Sequence, residues 1–122
     1  SLVENKICSE KKVALTVLAT VVSTPTKNRA IIDAGSKVLT SDLFGMNDHG
    51  SIVNFPELRI TQLTEEHGTI VSEQNTNLEI GQKIQIIPNH ACVVTNMLNE
   101  VNLITEEKKI KKVKVIARGK VW

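Results

Sequence analysis

The residues best suited to chemistry are His90 and Cys92, in the segment Pro88-Asn89-His90-Ala91-Cys92. Imidazole and thiolate are both good ligands for zinc and related metals. Two positions apart at a strand-to-helix junction, they can converge on one point. Two ligands are half of a structural zinc site, and the sequence holds no second Cys/His pair at zinc-finger spacing. A metal bound here keeps open positions, which suits a Lewis acid acting on a substrate oxygen better than a folding staple. Spacing alone favours a plainer reading: a cysteine packed in the core and a histidine at a helix start.

Glu65-Glu66-His67-Gly68 is the second constellation, placed after a strand and ending in a turn glycine. His67 is either a third ligand or acid/base group carried on a loop, or one residue of a solvated hairpin turn. His49, in Asn47-Asp48-His49-Gly50, reads as a surface loop residue without a role. Asp33 and Ser41-Asp42 stand at strand ends, where hydrogen-bonding a ligand competes with the more ordinary job of capping a turn. No Gly-rich phosphate loop and no Gly-x-Ser-x-Gly elbow occurs, which argues against nucleotide binding and serine hydrolysis.

The elements that position these groups are mostly strands, since β-branched runs of modest length alternate with Gly, Asn, Asp and Pro. The pattern predicts strands near residues 12–23, 29–32, 51–55, 58–64, 69–72, 83–87, 100–104 and 110–117. One segment departs from it: Val94, Met97 and Leu98 fall at helical spacing, so a short helix is expected within residues 90–99, with Asn89 as its N-cap. The expected fold is mainly β, a compact barrel or sandwich-like domain with one or two short helices. With no repeat or linker, residues 1–122 read as a single domain.

Composition narrows the function classes. Aromatic residues are 2% of the 122, so the core must be filled by Val, Ile and Leu, and base-stacking surfaces are nearly absent. A net charge of +2 adds little attraction to phosphate polymers, and the lysines from Lys108 to Lys114 read as the wet face of a protected edge strand. Nucleic acid is therefore not an expected partner. The longest apolar stretch, Val13 to Val22, is far shorter than the roughly 20 residues of a membrane-spanning helix, and residues 1–6 do not form a secretion signal. The expected location is the cytoplasm, with Cys8 and Cys92 as free thiols.

Arg29-Ala30-Ile31-Ile32-Asp33-Ala34-Gly35-Ser36-Lys37, Ser41-Asp42, Glu66-His67-Gly68, Pro88-Asn89-His90-Ala91-Cys92 and Ala117-Arg118-Gly119 occur in this order. Together they resemble the C-terminal domain of the D-threonine aldolase and D-serine dehydratase family across nearly the whole chain. Pro-Asn-His-x-Cys is the most specific element and Glu-His-Gly the next. The resemblance implies that His90 and Cys92 are metal ligands, because the family uses a His and a Cys, or a His and an Asp, two positions apart. Cys92 in place of Asp makes the sequence look more like the zinc-using dehydratase branch. Glu66 and His67 would stand near the substrate or metal, without an assigned role.

In that family an N-terminal barrel of alanine-racemase type carries pyridoxal phosphate on a lysine, the β-domain completes the active site, and homodimers are usual. The cofactor serves as electron sink while the metal contacts the β-hydroxyl of a D-3-hydroxy amino acid. Dehydratase and aldolase outcomes are equally compatible with this domain. No cofactor-binding residue is expected in this chain, which alone should be inactive. The rival readings are a stand-alone β module contacting protein or nucleic acid, and an independent zinc hydrolase built on His90, Cys92 and His67.

Overall fold

The computed structural model describes residue 9 and residues 12–120. The expected free thiol at Cys8 lies outside the described residues; Cys92 is free and exposed. Eight strands and two helices follow in the order β1 (Val17–Thr26), β2 (Arg29–Ile32), α1 (Ser36–Leu39), β3 (Ser51–Ile52), β4 (Arg59–Leu63), β5 (Gly68–Val71), β6 (Lys83–Ile87), α2 (Ala91–Met97), β7 (Glu100–Ile104) and β8 (Ile110–Lys114). The first six strands close an antiparallel barrel in the order β1-β2-β5-β4-β3-β6, with β6 returning to β1 through Val17 opposite Ile86 and Ala19 opposite Ile84.

Alternation makes this barrel. Along β1, Val17, Ala19 and Val21 point inward and Leu18 and Val22 outward, as the two-residue period of a strand requires. Each barrel strand contributes one fully buried β-branched side chain to a common centre: Val21, Ile32, Ile52, Ile60, Ile70 and Ile86. Ala19 and Ala30 fill the narrower places between them. A small barrel holds only side chains, so an interior almost without aromatics is packed by isoleucine.

The antiparallel registers bring the ends of β2, β4 and β6 and the starts of β1, β3 and β5 to one rim. Both helices close that rim, α1 through buried Leu39 and α2 through Val94, which is fully buried. α1 and α2 pack against each other there. The barrel form and main strands agree with the sequence pattern, with local differences. β1 starts at Val17 and not at residue 12. β3 stops at Ile52 because the chain turns at Asn54, which adopts φ 66°, and Phe55 N–H bonds back to Ile52 O at 3.1 Å. α1 is a single turn that the strand pattern did not mark.

β7 and β8 form a separate two-stranded sheet outside the barrel, paired from Glu100 opposite Lys114 to Ile104 opposite Ile110. β8 ends at Lys114, short of the expected residue 117, and the whole strand is exposed. Among the described residues no helix is long and apolar enough to cross a membrane.

Burial of each central side chain is worth about 1.5–3 kcal/mol before any cavity penalty. Ile70→Ala should therefore cost about 2–5 kcal/mol in urea unfolding. Leu18→Ala, on the outer face of β1, should stay within about 0.5 kcal/mol of the parent. Equal costs for the two would contradict the inward and outward assignment.

Candidate functional site

The rim positions the candidate residues by close backbone packing. The loop leaving β2 lies against the β4–β5 turn: Ser36 N–H bonds Thr64 O at 2.8 Å and Lys37 N–H bonds Glu65 O at 3.1 Å. Gly35 is required there, since a Cβ would stand 2.4 Å from Glu65 O. Thr64 and His67 close the turn, with Thr64 N–H to His67 O at 2.8 Å and His67 N–H to Thr64 Oγ1 at 3.0 Å. His67 is thus held by its backbone, with its side chain exposed. Glu66 pairs with Lys37 Nζ at 2.5 Å, and Glu65 accepts from the same ammonium at 3.2 Å.

His90 leaves the end of β6 as the N-cap residue of α2, with extended φ −135° and ψ 98° and no side-chain cap bond. Asn89, expected in that place, has another task. Its side-chain amide donates to Leu43 O at 3.2 Å and to Asp48 O at 2.6 Å, so it clips the loop between α1 and β3 to the β6–α2 junction. His90 Nδ1 lies 3.1 Å from Asp42 Oδ2, and its ring stands 4.6 Å, centroid to centroid, from Phe44. The shared hydrogen bond from His90, aided by Phe44 N–H on Oδ1, holds the Asp42 carboxyl below the usual carboxylate range.

Cys92 sits in the first turn of α2 and is exposed, not packed in the core. It lines a shallow groove of about 390 Å³ with Thr95, Asn96, Val115 and Ala117, between α2 and the chain leaving β8. Imidazole and free thiol are a donor set that suits zinc. Among the described residues no three His, Cys, Asp or Glu side chains gather into a metal site. His90 and Cys92 are thus two potential donors on one junction, and no third such group joins them among the described residues. Glu66 is engaged by Lys37 on the same rim.

Two loop residues differ from their sequence reading. His49 is half-buried, because its N–H bonds Ile60 O at 3.0 Å and folds the loop onto β4. Asp48, next to it, grips Arg59 through both Nε and Nη2 at 2.9–3.2 Å. Asp33 caps no turn: its Oδ1 accepts Thr20 N–H from β1 at 2.6 Å. Phe44 is a site neighbour that sequence reasoning passed over, and Asp42, noted at a strand end, was not tied to His90. The Ser41-Asp42 pair was visible, but nothing in the spacing announced that it would meet a residue 48 positions later.

The Lys37–Glu66 pair carries a signed pH dependence. Glu66 is lowered from 4.5, chiefly by the hydrogen bond from Lys37, so its contribution exists above 4.5 and fades as pH falls through the lower folded value. Lys37 is raised from 10.5, chiefly by Glu66, so its share exists below 10.5 and fades as pH rises through the higher folded value. Both groups are exposed, so the effect on stability is small. In Lys37→Met, the Glu66 titration followed by carboxyl NMR should move up toward 4.5; an unchanged midpoint would contradict the pairing.

Comparison with known proteins agrees with this geometry. A family model described as a putative serine dehydratase domain matches residues 14–104. An uncharacterised protein of Mycobacterium bovis is 36% identical over 119 residues, covering 93% of this chain and 90% of that protein. A D-serine dehydratase of Dictyostelium discoideum is 33% identical over 117 residues, covering 84% of this chain but 30% of the enzyme. The crystal structure of D-threonine aldolase from Filomicrobium marinum superposes with a TM-score of 0.75 at 29% identity, over 88% of this chain and 29% of that one. The family match takes in all six barrel strands, both rim helices and the His90 and Cys92 positions, and the chain belongs to the putative serine dehydratase domain family.

Proposed function

We propose that this chain is the C-terminal β-domain of a larger pyridoxal phosphate- and metal-dependent lyase acting on D-3-hydroxy amino acids, of the D-serine dehydratase or D-threonine aldolase type. The observation that carries this reading is the Pro88–Cys92 segment at the closed rim of the barrel, where it presents an imidazole and a free thiol in a chain of this family. His90 and Cys92 would hold a divalent metal, with zinc suited to the thiolate, and the metal would supply Lewis acidity toward the substrate hydroxyl.

The chain's own residues would build one wall of the site. α1 and α2 seal the barrel beneath it, so water cannot approach from the core side. Glu66, fixed by Lys37, and His67 on the adjoining turn would border the substrate. The cofactor's covalent lysine would lie on an N-terminal barrel domain. That partner would occupy the remaining length of a protein such as the Dictyostelium dehydratase, of which this chain spans 30%. The working form would be a cytoplasmic homodimer, and the isolated chain would be inactive. A stand-alone module contacting nucleic acid is not favoured, because the lysines of β8 come without aromatic stacking partners.

Calorimetric titration of the purified chain with zinc tests the metal assignment. Weak binding is expected, and it should be lost in both His90→Ala and Cys92→Ala. Binding retained by either single variant would remove that residue from the ligand set.

A further inference from the structure

The loop between α1 and β3 is built around His90. Asp42 divides its carboxylate between two tasks: Oδ1 accepts Phe44 N–H at 2.9 Å, and Oδ2 faces His90 Nδ1 at 3.1 Å. Phe44 adopts φ 50°, a conformation that bulky side chains rarely take, and the residue is 59% exposed although its ring stands against the imidazole, tilted by 37°. Asn89 grips the same loop at Leu43 and Asp48 from the position just before His90. The carboxylate, the ring and the histidine are thus fixed to one another through backbone as well as side chains.

An ionised carboxylate has acceptors only, so the proton in the Asp42–His90 bond must sit on Nδ1. When the ring is neutral, its lone pair is then on Nε2. A carboxylate behind one ring nitrogen orients the other nitrogen for a metal and strengthens it as a ligand. We infer that Asp42 is the positioning residue for His90: it fixes the Nδ1–H tautomer and the ring orientation, so that Nε2 is the nitrogen offered to a divalent cation, while Phe44 prevents the ring from turning away. This rests on reading His90 as a metal ligand, but the tautomer can be observed without metal.

The experiment is long-range proton–nitrogen NMR on labelled, metal-free chain, at a pH where the ring nitrogen shifts themselves report the neutral form. Zinc titration of the same samples accompanies it. The wild type should show the Nδ1–H form at His90. Asp42→Ala should shift His90 toward the Nε2–H form and weaken zinc binding about 10- to 100-fold. Asp42→Asn, which keeps a carbonyl oxygen as acceptor, should restore part of both effects and guards against misfolding as the cause. An Nε2–H tautomer in the wild type, or a tautomer indifferent to Asp42→Ala, would overturn the inference. Zinc bound equally by wild type and Asp42→Ala would also overturn it while leaving the ligand reading intact. A fixed tautomer lost in Asp42→Ala, in a chain that binds no zinc, would sustain the positioning role and remove the ligand reading.

Discussion

Ring closure is the constraint on which the rest of this structure depends. Six strands, some of them very short, hold a barrel only because each places a β-branched side chain at a shared centre. β3 has two residues, yet it joins β4 to β6 because Ile52 is buried opposite Ile86. Once the ring is closed, strand ends that are far apart in sequence become neighbours. The β2–α1 loop, the β4–β5 turn, the α1–β3 loop and the β6–α2 junction meet on one rim for that reason and for no local one.

The rim is made of polar tethers laid over an apolar plug. Leu39 and Val94 close the barrel from above, and the groups that matter for chemistry are attached to the backbone around them. Asn89 illustrates the economy of this layer. A residue whose type suits a helix cap instead ties two carbonyls of a distant loop to the strand end. Similar sequence occurs in proteins of very different length: this chain spans 90% of the mycobacterial relative and 30% of the slime-mould dehydratase.

Much of this was legible in the residue pattern. Strand period two, the β-branched runs and the near absence of aromatics implied a barrel or sandwich filled with Val, Ile and Leu, and β2, β6 and β7 have the bounds the pattern gives. The Pro88–Cys92 segment stood out because its residue types carry chemistry. What could not be read depends on closure. α1 is one turn long and has no period to detect; it exists because its Ser36 and Lys37 amides find carbonyls on the β4–β5 turn. Asp42 looked like any turn-capping aspartate, and it is one, since it accepts Phe44 N–H. Its second bond, to His90, crosses from one rim loop to another and has no trace in local spacing. The exposure of Cys92 was likewise hidden, because a short apolar helix does not declare which of its residues turns inward.

The hairpin of β7 and β8 shares none of the barrel's central packing; Val115 N–H to Asn99 O and Arg118 to the Asn99 side chain bond the hairpin's own base, and Gly119 N–H to Asn96 Oδ1 ties it to α2. Elements with little buried surface open at a fraction of the global unfolding free energy. Amide exchange in β7 and β8 should then run ahead of exchange in the barrel strands. Because Val115 and Ala117 form one side of the groove at the exposed Cys92, each such opening removes that wall while His90 stays clamped between Asp42 and Phe44. The groove wall beside Cys92 and the clamp on His90 consequently belong to parts of the molecule that breathe at different rates, although both residues stand on the same β6–α2 junction.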